Sequence, residues 1–181
     1  MIELEGNFGK KFIDIYGGGA KEIGIEDALA TIDQIDDSNN TISQIFDAEN
    51  IAGKKHLLHA AKLALEAIKN DQSFADSPKI ELTCWVAGKR QINKAIKKVG
   101  VNKESKKIAF ITIGEDSEKV KETEERILES LEIEKDEDAL KLNDQGKKRL
   151  QNIYSISEEM LEHYSIEEII LENTALLSLE M

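Results

Sequence analysis

Apolar residues recur along this chain at every second position in some stretches and at every third or fourth in others, and the changes of spacing divide it into elements. Lys11–Tyr16 alternates Phe12, Asp14 and Tyr16 with Ile13 and Ile15 and then reaches Gly17-Gly18-Gly19, the pattern of a strand followed by a turn. Glu26–Ile35 puts Ala28, Leu29, Ile32 and Ile35 at helical spacing, and the polar run Asp36–Asn40 reads as a loop. Thr41–Ile51 suits a strand, with Ile42, Ile45 and Phe46 as its apolar part. Gly53 then precedes a helix from about Lys54 to Asn70, whose buried stripe is Leu57, Ala61, Ala64, Leu65 and Ile68.

Asp76-Ser77-Pro78 breaks the pattern. Ile80–Val86 has enough β-branched and aromatic residues to predict a buried strand. Lys89–Val99 predicts a helix on Ile92, Ala95, Ile96 and Val99, closed by Gly100 as a left-handed cap. Ile108–Ile113 predicts a strand and Asp116–Leu131 a helix on Val120, Ile127, Leu128 and Leu131. Ser155-x-x-Glu158 and Ser165-x-x-Glu168 each spell a capping box at a helix start. Thr174–Leu179 fits either a continued helix or a strand alternating on Ala175, Leu177 and Leu179. Strands and helices intermix without a long linker, which predicts one α+β domain over residues 1–181, a mixed or antiparallel sheet packed with helices.

Charge alters the functional expectation. The 181 residues carry 24 Lys+Arg and 36 Asp+Glu, a formal net charge of −12. Taken whole, that argues against a nucleic-acid partner, because phosphate binding needs positive charge. The distribution reverses the argument. Residues 1–51 hold 3 basic and 11 acidic side chains, residues 52–114 hold 13 and 5, and residues 115–181 hold 8 and 20. The densest basic stretch runs from Lys89 to Lys107, and charge is felt locally over a Debye length of about 8 Å. A lone Cys84 offers no internal disulfide and no zinc spacing. The apolar run Ile108–Ile113 is too short to span a bilayer. Met1-Ile-Glu-Leu-Glu lacks the basic start of a secretory signal, so a cytoplasmic protein is expected, with no membrane partner.

Most candidate motifs reduce to ordinary structure. Gly17-Gly18-Gly19-Ala20-Lys21 lacks the spacing of a phosphate loop and reads as a turn. His56 and His59 share a helix face, but no third ligand completes a metal site. The pairs Glu124-Glu125 and Glu167-Glu168 fall on polar faces, and general acid–base chemistry needs carboxyl groups held in a cleft. One element combines several requirements: an apolar segment ending at Ala87-Gly88, then a helix carrying Arg90, Lys94, Lys97 and Lys98 as a stripe opposite its apolar face. Gly88 permits a tight turn, Arg90 can grip phosphate or stack on a base, and the Gln91 amide can read a base edge.

Ala52-Gly53-Lys54-Lys55-His56-Leu57-Leu58-His59-Ala60 and Ala87-Gly88-Lys89-Arg90-Gln91-Ile92, followed by Lys94-Ala95-Ile96 and Val99-Gly100, resemble the CGI-type small subunit of the KEOPS/EKC complex. That subunit is the kinase-binding protein of the machinery that makes threonylcarbamoyladenosine in tRNA. The match covers mainly residues 45–114, and Gly-x-Arg-Gln-Ile is its most specific part. The resemblance implies an α/β protein without catalysis or a cofactor of its own. It implies binding to the amino-terminal lobe of the complex's atypical kinase/ATPase subunit, enhancement of that subunit's activity, and capture of the single-stranded 3′ CCA end of tRNA.

Carried over by residue, the tRNA contacts fall on Lys54, Lys55, His56, His59, Gly88, Arg90, Gln91 and Ile92, with Lys94 behind them. The kinase contact falls on Ile170, Asn173, Ala175, Leu176, Leu177 and Leu179, in a tail that resembles the family's apolar C-terminal segment. Ala87 stands where the family usually has serine, Trp85 where a less bulky or basic residue is expected, and the acidic first 40 residues do not align. A second expectation, of a different class, is an adaptor that docks to a kinase and never touches RNA.

Overall fold

The computed structural model describes residues 1–19 and 24–180. Strands β1 (Ile2–Gly6) and β2 (Gly9–Gly19) form a hairpin. Helix α1 (Ile25–Asn39) leads to β3 (Thr41–Asp47), a short 3-10 turn at Ala48–Asn50, and helices α2 (Gly53–Lys69), α3 (Pro78–Ala87) and α4 (Ile92–Val99). Strand β4 (Lys107–Gly114) and helix α5 (Ser117–Ser130) follow. The chain ends in α6 (Asp144–Tyr154), α7 (Glu158–Leu161), α8 (Ile166–Leu176) and a final 3-10 turn. The sheet order is β1-β2-β4-β3, and all three pairings are antiparallel. The α+β class is therefore as expected.

Period-two alternation gives this sheet two buried faces. Ile13, Ile15, Phe46, Ala109, Ile111 and Ile113 meet Leu57, Ala61, Leu82 and Trp85 from α2 and α3. Tyr16, Ile45, Ile108 and Phe110 meet Ile32, Ile35 and Ile127 from α1 and α5. Central β4 is covered on both sides, which is why Ile108–Ile113 reads as a run apolar at every position but Thr112. A third cluster, built on Leu150, Tyr154, Ile166, Ile169 and Ile170, packs α6 and α8 beside Ala52 at the start of α2.

Gly17 and Gly18 do not turn. They continue β2, pairing with Ala109 and Ile108. A Cβ on Gly17 would lie 2.7 Å from Ala139 Cβ, and one on Gly18 would lie 2.5 Å from Ile133 Cγ2, so close packing across the strand requires both glycines. Ala20 and Lys21, the rest of that motif, lie outside the described residues.

The expected loop Asp36–Asn40 is instead the last turn of α1, ended by Asn40 in the left-handed region at φ 55°. Asp36 is buried there because its carboxyl accepts from Thr41 Oγ1 at 2.7 Å, Ser43 Oγ at 2.8 Å and Ser43 N at 2.8 Å. Strand β3 stops at Asp47, whose side chain accepts from Glu49 N at 3.0 Å and caps the 3-10 turn, so Ala48–Ile51 is not strand.

The largest departure is Ile80–Val86, which is helical. Pro78 occupies the first turn, where its missing N–H costs nothing. Residues Glu81–Ala87 are all buried, so the segment shows no amphipathic period, and a short buried helix has the same apolar spelling as a buried strand. The sequence signal lay in Glu81 and Trp85, one helical turn apart, whose side chains bond at 2.7 Å.

Helix α4 starts at Ile92 rather than Lys89. Gly100 after it is extended, at φ −68° and ψ 152°, and the left-handed cap is Gly88 instead. Ser165 forms its expected capping box with Glu168, while Ser155 closes α6 and Ser157 caps α7. Thr174–Leu179 continues helically. No helix of the described residues is long and apolar enough to cross a membrane.

Candidate nucleic-acid and partner interface

Everything at this site hangs on how α3 ends. Gly88 takes φ 60°; its N–H bonds Trp85 O at 3.1 Å, and Lys89 N–H bonds Cys84 O at 3.0 Å. This is a Schellman closure, which favours glycine at the left-handed position. Two carbonyls of the last turn, Val86 O and Ala87 O, still need donors. His56 Nε2 donates to Val86 O at 3.0 Å, and Tyr154 Oη adds a second, longer bond at 3.3 Å. Lys98 Nζ donates to Ala87 O at 2.8 Å and sits 3.4 Å from the centroid of the Tyr154 ring. Side chains from α2, α4 and α6 thus converge on one helix end and fix the direction in which the chain leaves it.

The chain leaves as the exposed loop Lys89-Arg90-Gln91. With Gly88 and Lys94 these residues line an open surface pocket of about 270 Å³. Arg90 lies over the Phe74 ring, 5.1 Å from its centroid, and Phe74 in turn packs on Trp85 at 5.6 Å. Ile92 and Ile96 of α4 are 38% and 45% exposed, whereas Ala95 and Val99 are buried. The apolar face read from the sequence is therefore split, and half of it stands in solvent beside the basic loop. Lys94 and Lys97 are exposed, but Lys98 points inward to cap α3. Burial, then the nearby Lys89, lowers the Lys98 pKa to about 8.

The structure brings Gly88, Arg90, Gln91 and Lys94 to one pocket, with Ile92 following Gln91 in the chain, and no α2 residue lines it. His56 is completely buried. Its Nδ1 accepts from Ala52 N at 3.2 Å, so its partners require the neutral tautomer protonated on Nε2, and neither nitrogen is available to a ligand. The expectation of a direct RNA contact at His56 does not survive this geometry. His59 is half-buried against α8 near the Leu171 backbone, and burial together with Lys62 lowers its pKa. Lys54 bonds Glu137 at 2.9 Å, and Lys55 is exposed.

The C-terminal candidates also divide. Ile170 and Leu177 are core residues, Asn173 and Ala175 are half-buried, and Leu176 and Leu179 are 47% and 78% exposed. Asn173 joins the two regions, since a Cβ on Gly88 would lie 3.5 Å from its carbonyl oxygen. Sequence reasoning missed Phe74 and Tyr154 altogether and placed Lys98 on the outward stripe. Phe74 carried a weak signal, as a lone aromatic in the polar loop Asp71–Ser77; Tyr154 carried none. A cavity of about 690 Å³ among Ile25, Ala28, Val101 and Phe110 holds none of the loop's side chains.

These features define a class: an α+β protein whose helix-covered antiparallel sheet presents a basic loop next to a C-terminal segment with exposed leucines. The chain belongs to the CGI-121 family of kinase binding proteins, whose family model matches residues 23–178. No individual curated protein matches it as a relative.

Proposed function

We propose that this protein is the non-catalytic CGI-type subunit of a KEOPS complex, which binds and stimulates the complex's kinase/ATPase subunit and captures the unpaired 3′ CCA end of tRNA. The observation that carries this reading is the pocket of Gly88, Lys89, Arg90, Gln91 and Lys94, a preorganised basic site in a chain of net charge −12. Loop N–H groups, a guanidinium and an amide are what an unpaired nucleotide needs for phosphate and base contacts. Lys94 and Lys97 follow the backbone beyond it, while His56 and Lys98 hold the loop from behind. The acidic remainder limits non-specific RNA binding.

Removing the 3′ CCA from tRNA, or replacing Arg90 by alanine, is expected to weaken binding by the purified protein about tenfold or more, the size of a missing charge-assisted hydrogen bond. The salt dependence should become shallower by about 0.7 in slope for each phosphate that is no longer neutralised. Binding that ignores the CCA end refutes the capture role.

A second reading, a kinase-docking adaptor without RNA contact, is favoured by exposed Leu176 and Leu179. Aspartate at both positions should abolish co-purification with the kinase subunit while leaving tRNA affinity unchanged. Deleting the tail is a poorer test, because Thr174 and Leu177 are buried. If the kinase complex forms normally with both aspartates, the tail is not its docking surface.

A further inference from the structure

Lys98 is a cation drawn into the protein with no acid to meet it. Its ammonium donates to Ala87 O at 2.8 Å and lies 3.4 Å from the centroid of the Tyr154 ring of α6. Among the described residues no carboxylate pairs with it, and nearby Lys89 has the same charge. The main chain of Lys98 is held from the same side. Asn50 Nδ2 donates to Lys98 O at 2.9 Å, and Asn50 Oδ1 accepts from Arg149 Nε of α6 at 3.0 Å. Tyr154 itself is buried in the cluster with Leu150, Ile166 and Ile170, its hydroxyl 3.3 Å from Val86 O. Helix α6 thus grips one lysine of α4 at both its carbonyl and its ammonium, and through that ammonium it reaches the Ala87-Gly88 peptide.

We propose that Tyr154 is a positioning residue for the RNA site: its ring takes the place of a carboxylate as partner to the Lys98 ammonium, and the pair clamps the turn from which the basic loop springs. The proposal rests on the RNA-binding reading above and deepens it, because α6 lines no part of the pocket. A ring face attracts a partly desolvated ammonium through its quadrupole and brings no net charge. A carboxylate could also hold Lys98, but it would set a negative charge beside the Ala87-Gly88 peptide and weaken the local field that draws phosphate. The aromatic partner keeps the site positive in a chain of net charge −12. His56 serves the same helix end at the other carbonyl, Val86 O, so the two devices are separable.

The test compares the full-length wild type with Lys98→Met, Tyr154→Leu, the double variant and Tyr154→Phe. Two quantities are read: tRNA affinity, and hydrogen exchange at the Gly88 and Lys89 amides that close α3. Methionine keeps the lysine stem without its charge, and phenylalanine keeps the ring without its hydroxyl. Lys98→Met and Tyr154→Leu should each weaken tRNA binding about fivefold to tenfold and quicken exchange at both amides by a similar factor. The double variant should lose no more than either single change, and Tyr154→Phe should stay within about twofold of the wild type. The salt dependence should match the wild type throughout, because a clamped ammonium neutralises no phosphate. If Lys98→Met instead flattens the salt slope by about 0.7 with exchange unchanged, Lys98 meets RNA directly and the clamp is wrong. If Tyr154→Phe is as damaging as loss of the Lys98 charge, the hydroxyl holds α3 and the ring does not, which also overturns the proposal. Should Tyr154→Leu fail to fold, Lys98→Met and Tyr154→Phe still decide between these outcomes. Wild-type affinity in every variant refutes the clamp and leaves the RNA reading standing; a wild type that binds no tRNA refutes that reading, and the proposal falls with it.

Discussion

Replacing Glu81 by alanine is expected to cost the fold about 2 to 3 kcal/mol, the upper part of the range for leaving a buried hydrogen-bonding group without its partner. Its carboxyl has no exposure to solvent and accepts three N–H donors, from Phe74, Ala75 and Trp85. Alanine strands the indole N–H, while the amides of half-buried Phe74 and Ala75 lose their acceptor nearer to solvent. The Trp85 indole is itself buried, and each buried donor without an acceptor costs about 1 to 3 kcal/mol. Glutamine keeps one carbonyl oxygen and its shape, so Glu81→Gln should lose less than half as much. Urea unfolding followed by Trp85 emission measures both, with a shifted midpoint and an unchanged slope as the expected result. A double-mutant cycle with Trp85→Phe, followed by circular dichroism because the chain's one tryptophan is then gone, apportions the effect. If the bond matters as its geometry implies, the phenylalanine should be less damaging in the Glu81→Ala background than in the wild type, by about 1 to 2 kcal/mol. Additive losses would mean that the indole N–H finds another acceptor.

The same two residues show where the sequence was readable and where it was not. Elements with one wet face announced themselves: α2, α5 and the Ser165 capping box fall close to their expected places. Elements covered on all sides lost their period. Ile80–Val86 reads as strand on composition, and only the spacing of Glu81 and Trp85 betrays a helix; Gly17-Gly18 reads as a turn because nothing local reveals Ala139 and Ile133 packed across it. The split of the α4 face, with Ile92 and Ile96 in solvent, depends on what packs beneath Ala95 and Val99.

The site divides in the same way. Gly88, Arg90, Gln91 and Lys94 are close together in sequence and were legible. His56, Lys98 and Tyr154 reach α3 from other elements, so their common task at Val86 and Ala87 exists only after folding. Lys98 is instructive: its spacing assigns it to the outward stripe, but the Ala87 carbonyl at the end of α3 draws its ammonium inward.

Acid should loosen this helix end through His56. Burial holds its pKa down at about 4, against 6.5 for an ordinary histidine, and nearby Lys98 and His59 add to the depression in smaller measure. The hydrogen bond to Val86 O opposes the shift without reversing it. The unfolded chain therefore binds this proton more tightly than the folded one between those two values. Stability contributed by neutral His56 is fully present above about pH 6.5 and is lost progressively as pH falls towards 4, amounting to about 3 kcal/mol over the window. A proton on Nδ1 would face the Ala52 N–H that now donates to it, so the start of α2 should yield first. His59 titrates in the same direction, which makes subtraction necessary. The unfolding free energy of the wild type should fall by about 2 kcal/mol more than that of His56→Gln between about pH 7.5 and about pH 5. Parallel pH profiles for the two proteins would show that the imidazole is solvated at acid pH without disturbing the end of α3. A steeper wild-type profile, accompanied by earlier hydrogen exchange at the Gly88 and Lys89 amides, would tie His56 to the posture of the basic loop.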